Sequence, residues 1–308
     1  MKISFCIPCY RSEKTIETVI AGIHEAMSGH ADYETEIVCA IDGSPDDVYG
    51  VLRKIAADDT TVKVINLSKN YGQPGARMAS LQYATGDIHV CLDDDGQCPM
   101  ENLWELIQPV LDGYDVSIAR YPSKKQSAFK NFGSWLNEKM VHTLLDVPSD
   151  YYFSNFWVMQ KFVTDEILQY PNPYPYITGL VAQITRSIAY VSMEEHDRLS
   201  GTTGYTFKKL VDSWLNGALN FSVKPVRMAT LLGSTTAVVG FVVALVEIIR
   251  KLCGVDINMG FTSIISAILI VGGMQMIILG VLGEYIARTF ISINKAPQYV
   301  VKNTINVD

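Results

Sequence analysis

The chain has 308 residues, 48% of them hydrophobic, which is enough to bury the core of one sizeable α/β domain with apolar sequence left over. Its formal net charge of −7 argues against a nucleic-acid footprint, which is basic. Six cysteines form no even framework: Cys6, Cys39 and Cys91 lie inside apolar runs, and "CIPC" at 6–9 has no second pair at zinc-finger spacing, so buried thiols in a reducing compartment are expected.

The first apolar run is short and interrupted by Pro8, unlike a signal peptide. "KISFCIP" reads as a strand. "SEKTIETVIAGIHEAM" follows with helical spacing at Ile16, Val19, Ile20 and Ile23. "ETEIVCAID" and "TVKVINL" predict two more strands, and "PGARMASLQYAT" a helix with Pro74 near its start. "DIHVCL" is a fourth strand, "ENLWELIQPVL" a helix and "DVSIAR" a fifth strand. This alternation predicts an α/β fold with a mostly parallel sheet and helices on both faces. Ligands of such sheets bind beyond the carboxyl ends of the strands, which points to Tyr10, Asp42 and Asp93 to Asp95.

Residues 121–200 are less regular, and "YPNPYPYITG" reads as a loop. In 205–227, Phe207, Leu210, Val211, Trp214 and Ala218 share one helical stripe, with Lys208, Lys209 and Asp212 elsewhere. Lying just before an apolar run, this segment is expected to be an interfacial helix. Met228 to Ile249 is apolar except for Glu247, and Met259 to Gly283 carries no charge. As a helix the second run would be about 37 Å long against a hydrocarbon core of about 30 Å. Two transmembrane helices, about 228–249 and 259–286, are expected, joined by "RKLCGVDIN" into a hairpin. Lys224, Arg227, Arg288, Lys295 and Lys302 flank the pair, while Arg250 and Lys251 lie in the link, which favours both ends in the cytoplasm. Ala229, Gly233 and Ala237 form a small-residue stripe suited to helix–helix packing, within the hairpin or in a homo-oligomer. The expected domains are 1–204 (cytoplasmic globular domain), 205–227 (interfacial helix), 228–287 (hairpin) and 288–308 (cytoplasmic tail).

The stretch "CLDDDGQC" at 91–98 sets three carboxylates side by side at the end of an apolar strand. A hard divalent cation such as Mg²⁺ or Mn²⁺, shared between carboxylates and substrate phosphates, would relieve that repulsion. Gln97 adds an oxygen donor, and a second acidic strand end, "AIDGS", lies upstream.

"IPCYRSEKTI", "IDGSPDD", "LSKNYGQPGARMASLQYATGD", "LDDDGQCP", "HDRLSGTTGYTF" and "LLGEYIARTFISINKAPQYVV", in that order, resemble the family 2 glycosyltransferases of GT-A fold, and within them the membrane-anchored polyprenyl-phosphate glycosyltransferases. The resemblance spans nearly the whole chain. It implies an inverting enzyme that takes a sugar from a nucleotide-sugar donor, a UDP-sugar being favoured, to undecaprenyl or another polyprenyl phosphate at the inner-membrane surface, for cell-envelope glycan modification. It further implies that Pro8, Tyr10 and Glu13 border the base and ribose, and that Asp42 contacts the base or ribose. Asp93, Asp95 and Gln97 would handle the diphosphate and its Mg²⁺ or Mn²⁺, Arg120 and Ser134 would line the sugar-phosphate cleft, and Arg198 would meet a phosphate. Three positions depart from the family's pattern: Gly96, where it often has Leu; Thr203-Gly204-Tyr205, where Ser-Lys-Tyr is usual; and "FSNFWVM", which lacks a common Arg. A processive polysaccharide synthase would carry Q-x-x-R-W before its spans, and a silent scaffold of the same fold would be expected to have lost D-x-D; this chain lacks the first element and keeps the second.

Overall fold

A computed structural model describes residues 1–121, 151–173, 175–197, 199, 224–253, 260–294 and 296–307. The chain divides into two compact units, Met1–Gly217 with Lys295–Asp308, and Ala218–Asn294.

The first unit is built on an eight-stranded sheet of order β7-β5-β6-β4-β1-β2-β3-β8. Its strands are β1 (Lys2–Cys9), β2 (Glu34–Ile41), β3 (Val62–Leu67), β4 (Ile88–Cys91), β5 (Val116–Arg120), β6 (Trp157–Gln160), β7 (Ile188–Ser192) and β8 (Val301–Ile305). The five strands expected from the sequence are all present. β1 pairs in parallel with β2 on one side and β4 on the other, and β2 with β3. β6 is antiparallel to both β4 and β5, and β8 is antiparallel to β3. The chain thus moves outward from β1 through β2 and β3, then returns to β1's other side at β4. That reversal is a topological switch point, and the crevice beyond the carboxyl ends there is the natural ligand site of an open α/β sheet.

The helices of this unit are α1 (Ile16–Met27), α2 (Val48–Asp58), α3 (Gln73–Gln82), α4 (Leu103–Leu111), α5 (Lys161–Leu168) and α6 (Ile177–Ile184). In β2, alternate residues serve opposite faces: Ile37, Cys39 and Ile41 join a core with α1, α2 and α4, while Val38 and Ala40 meet Ala76 and Ala79 of α3. The apolar spacing of α1 does what the sequence suggests, since Ile16, Val19, Ile20 and Ile23 are all buried. Cys6, Cys9, Cys39, Cys91 and Cys98 are buried free thiols, and Cys253 is exposed. Burial pushes the Cys6 and Cys9 thiols well up, so the "CIPC" pair is held protonated.

The tail does more than follow the hairpin. β8 hydrogen-bonds along β3, and the Asn306 side-chain amide donates to the carbonyls of Ala56 (2.7 Å) and Val62 (2.9 Å). The second unit contains α7 (Lys224–Leu252) and α8 (Phe261–Ile293), so the second helix runs past the expected end at 286. Among the described residues, Ile270–Ile293 is long and apolar enough to cross a membrane, and Ala229–Val243 is a shorter apolar stretch. The small-residue stripe works inside the hairpin: a side chain at Gly233 would sit 3.4 Å from Ile278 Cδ1, and Ala229 shares an apolar cavity with Ile277 and Ile278. The interfacial helix expected over 205–227 lies outside the described residues up to 223; residues 224–227 form the first turn of α7.

One buried carboxylate ties the sheet's amino-terminal edge together. Glu36, 2% exposed, forms ion pairs of 2.8 Å with both Lys2 and Lys63 and accepts from the Thr85 N–H (2.7 Å) and the Ser4 hydroxyl. Burial pushes its carboxyl up, but these donors outweigh burial and hold it far below the usual range. With its folded value depressed, Glu36 adds stability above the unfolded value of about 4.3 and loses it as pH falls toward the folded value. Glu36→Gln should lower stability at pH 7 by about 3 kcal/mol, and should flatten the loss of stability on acidification, both read from unfolding curves in detergent.

Candidate active site

Three strand ends converge at the switch point. Pro8 and Cys9 close β1 and Tyr10 follows; Asp42 follows β2; Asp93 to Asp95 follow β4. Pro8 to Tyr10, Asp42 and Asp94, with the segment Asn70–Arg77 and a wall formed by Phe153, Asn155 and Pro175–Thr178, enclose a cleft of about 650 Å³. Of the residues expected from the sequence, Pro8, Tyr10 and Asp42 line it directly, whereas Asp93, Asp95 and Gln97 lie outside its lining and Asp94 is the acid of the turn that borders it.

Asp42 is 3% exposed and accepts from the Tyr71 N–H at 2.6 Å, while the Asn70 amide donates to its carbonyl at 3.1 Å. Burial pushes this carboxyl up, against the pull of the Tyr71 and Gly72 N–H groups. The following residue has to be glycine. Gly43 has φ +56°, and a Cβ there would lie 2.4 Å from the Lys69 carbonyl carbon. That close approach presses the loop after β2 onto the loop before α3.

The three adjacent carboxylates face different partners. Asp93 accepts from Arg77 Nη2 at 2.6 Å and from the Gln73 amide at 2.8 Å. Arg77, on α3, is 6% exposed. Asp94 turns to the β1–α1 loop: its carboxylate accepts from the Tyr10 N–H at 2.8 Å, and its carbonyl from the Thr15 hydroxyl at 2.6 Å. Burial pushes Asp94 up to about 6, the charges of Asp93 and Asp95 adding to the rise. Asp95 accepts from the Gln97 N–H at 3.1 Å. The middle residue therefore anchors the β1–α1 loop and borders the cleft, while Asp93 is held against α3 and Asp95 accepts from the turn's own backbone.

A divalent cation fits this donor set. Among the described residues no group of three or more His, Cys, Asp or Glu side chains is placed to hold a metal ion by itself, so substrate oxygens would have to complete the set. What the turn offers is hard carboxylate oxygen at Asp93 and Asp95 beside the amide of Gln97. That suits an ion of the Mg²⁺ or Mn²⁺ kind, which keeps waters and takes further ligands from substrate phosphates.

The remaining expected residues are distributed as follows. Glu13 lies outside the cleft lining and ties two loops together: its N–H donates to Asp46 (2.9 Å), and its carboxylate accepts from the Asp47 N–H (3.0 Å). Arg120, exposed at the end of β5, holds its guanidinium 5.8 Å from the centre of the Tyr152 ring. Ser134 and Arg198 lie outside the described residues. Sequence reading gave no role to Asn70, Gln73 and Arg77, although they lie in "LSKNYGQPGARMASLQYATGD", one of the segments that carry the family resemblance. It also missed Gln298, from the tail, whose amide donates to the carbonyls of Tyr170 (2.6 Å) and Asn172 (2.9 Å) and so braces the segment leading into the Pro175–Thr178 wall.

Residues 4–168 match the family described as glycosyl transferase family 2, and residues 224–289 match the GtrB C-terminal hairpin. The chain is 30% identical to an uncharacterized glycosyltransferase of Synechocystis, covering 98% of this chain and 95% of the relative. It is 29% identical to the prophage bactoprenol glucosyl transferase homolog of Escherichia coli, covering 98% and 99%. Among solved structures, glucosyl-3-phosphoglycerate synthase from Mycobacterium tuberculosis in complex with uridine diphosphate has a similar fold: TM-score 0.52, 18% identity, 70% of this chain and 80% of that one.

The Arg77–Asp93 pair should behave as a unit. Arg77→Leu strands a partly buried carboxylate and should cost about 3–5 kcal/mol. Adding Asp93→Asn should recover most of that loss in thermal unfolding, whereas simple additivity of the two substitutions would show that the pair does not hold the turn.

Proposed function

The chain belongs to glycosyl transferase family 2, and from that membership we propose that it transfers a sugar from a nucleotide-sugar donor, preferably a UDP-sugar, to polyprenyl phosphate, with inversion at the anomeric carbon. The observation that carries this reading is a cleft at the sheet's switch point lined by Asp42 and Asp94, in a chain matched over nearly its whole length by relatives named bactoprenol glucosyl transferase. The match to the GtrB hairpin and the apolar stretch Ile270–Ile293 support membrane association; in our reading the anchor is multi-pass in the inner (plasma) membrane, α7 and α8 both crossing it, with the catalytic residues in the cytoplasm.

In this reading Pro8, Tyr10 and Asp42, with Asn70 behind Asp42, receive the base and ribose. Arg77 and Gln73 orient Asp93, and Asp93, Asp95 and Gln97 hold the cation and the donor diphosphate. A bound Mg²⁺ or Mn²⁺ would neutralise charge gathering on the leaving diphosphate. Arg120 and Ser134 border the sugar-phosphate end, and Arg198 covers the acceptor phosphate with a fixed positive charge and a fork that matches phosphate oxygens.

The acceptor explains why no general base is required. A phosphate monoester carries about −1.5 to −2 charges at pH 7 and can attack the anomeric carbon unaided. What it needs is positioning and charge cover close to three aspartates.

A donor and acceptor screen tests the reading. Full-length protein in detergent with Mn²⁺ should form lipid-linked product from a UDP-sugar and undecaprenyl phosphate, and none from the free polyprenol. Excess chelator should abolish transfer, and the product should carry the inverted anomeric configuration. Retained configuration, or equal rates with the free alcohol, would contradict the mechanism; full activity in chelator would contradict the cation's role.

A further inference from the structure

His196 and Leu199 are fastened to the acidic turn by a set of contacts that the proposed chemistry does not by itself require. The His196 N–H donates to the Gln97 carbonyl at 3.0 Å, and the Gln97 amide donates back to the His196 carbonyl at 3.2 Å. The Leu199 N–H donates to the Asp95 carbonyl at 3.2 Å, and the His196 ring meets the Glu101 carboxylate at 2.7 Å. The chain on both sides of position 198 is thus bonded to Asp95, Gln97 and Glu101.

A steric fit completes the set. Gly96 has φ +77°, and a Cβ built on it would lie 2.4 Å from Leu199 Cδ1 and 2.7 Å from Cγ. Leu199 therefore occupies the space that a side chain at 96 would fill. It is 55% exposed, so burial in a core does not explain its seat; the notch over Gly96 does. Leu199 and Gly96 also border a small cavity of about 180 Å³, with Val19, Gly22, Cys98 and Met100 on its apolar side and Asp93, Glu101 and His196 on its polar side.

We propose that Leu199, seated over Gly96, is a positioning residue that registers the acceptor-phosphate segment around residue 198 against the donor-diphosphate turn at Asp93–Gln97. This inference rests on the functional reading above, in which the two segments serve the two substrates. Glycine at 96 and a bulky apolar residue at 199 are one device: the notch exists because residue 96 lacks a side chain, and residue 199 fills it. Approach of two reactants is sensitive to displacements of about 1 Å, which can cost on the order of a hundredfold in rate. A latch that makes the two segments one body controls that distance without touching either substrate.

The test uses the full-length protein in detergent, with three readouts: UDP affinity by calorimetry in Mn²⁺, acceptor KM for undecaprenyl phosphate at saturating donor, and amide exchange at His196 and Leu199. Leu199→Ala should leave UDP affinity within about twofold, raise acceptor KM about tenfold or more, and speed exchange at both amides. Leu199→Met, which refills the notch, should restore KM and exchange. Gly96→Ala adds the strain of a positive φ to the clash with Leu199 and should speed exchange at both amides, and adding Leu199→Ala should recover the part due to the clash. Wild-type acceptor KM and exchange in Leu199→Ala would overturn the proposal, as would equal loss of UDP affinity and acceptor KM with a lowered Tm. If the wild-type protein transfers to no lipid phosphate, the functional reading fails, and amide exchange in the four variants still decides whether the latch exists.

Discussion

The ion pair between Arg77 and Asp93 is the constraint on which the rest of the site depends. Like charges about 4 Å apart near a protein surface repel by on the order of 4 kcal/mol, and this turn brings three together at the end of one strand. The structure separates them by assignment rather than distance. Asp93 takes a buried arginine and a glutamine from α3. Asp94 turns toward the backbone of the β1–α1 loop and shifts toward its neutral form. Asp95 accepts from the Gln97 N–H on the side where Leu199 and His196 pack. The arrangement places one buried positive charge against the acidic turn.

The sheet's topology decides where that turn can sit. Because β1 is flanked by β2 and β4, the acidic ends of β2 and β4 open on either side of the β1 loop. α3 closes the cleft from below with the residues that fix both acids: Tyr71, just before it, for Asp42, and Arg77 within it for Asp93. The tail then braces the far side. β8 extends the sheet beyond β3, the Ser68 N–H donates to the Val300 carbonyl at 2.8 Å, and Gln298 holds the 170–172 backbone. One short segment therefore touches the loop before α3 and the approach to the opposite wall.

Much of this was legible in the sequence wherever partners are neighbours along the chain. β1 to β5 and α1 announce themselves through apolar runs and the 3.6-residue period, and D-x-D is compact enough to be read directly. β6 escaped because "WVMQ" is only four residues long and lies in an irregular region; its place between β4 and β5 is a tertiary choice. β8 escaped because it follows a hairpin that reads as membrane sequence, and a strand pairing across more than two hundred residues leaves no local mark (Asn66 meets Asn303). α2 carries Gly50 at a position that weakens its helical signal. The separation of roles within "DDD" was invisible for a related reason. Composition shows three equal acids, and only the fold supplies Arg77 to one and the Tyr10 N–H to another.

The central claim is that the three aspartates do different work, and cation-dependent UDP binding measures it most directly. Calorimetric titration of UDP, with and without Mn²⁺, into Asp93→Asn, Asp94→Asn and Asp95→Asn should give affinity close to the unsubstituted protein for Asp94→Asn, whose amide oxygen can still accept from Tyr10, and loss of the Mn²⁺-dependent part for the other two. Equal loss in all three variants, or Mn²⁺-dependent binding that survives in Asp95→Asn, would contradict the account.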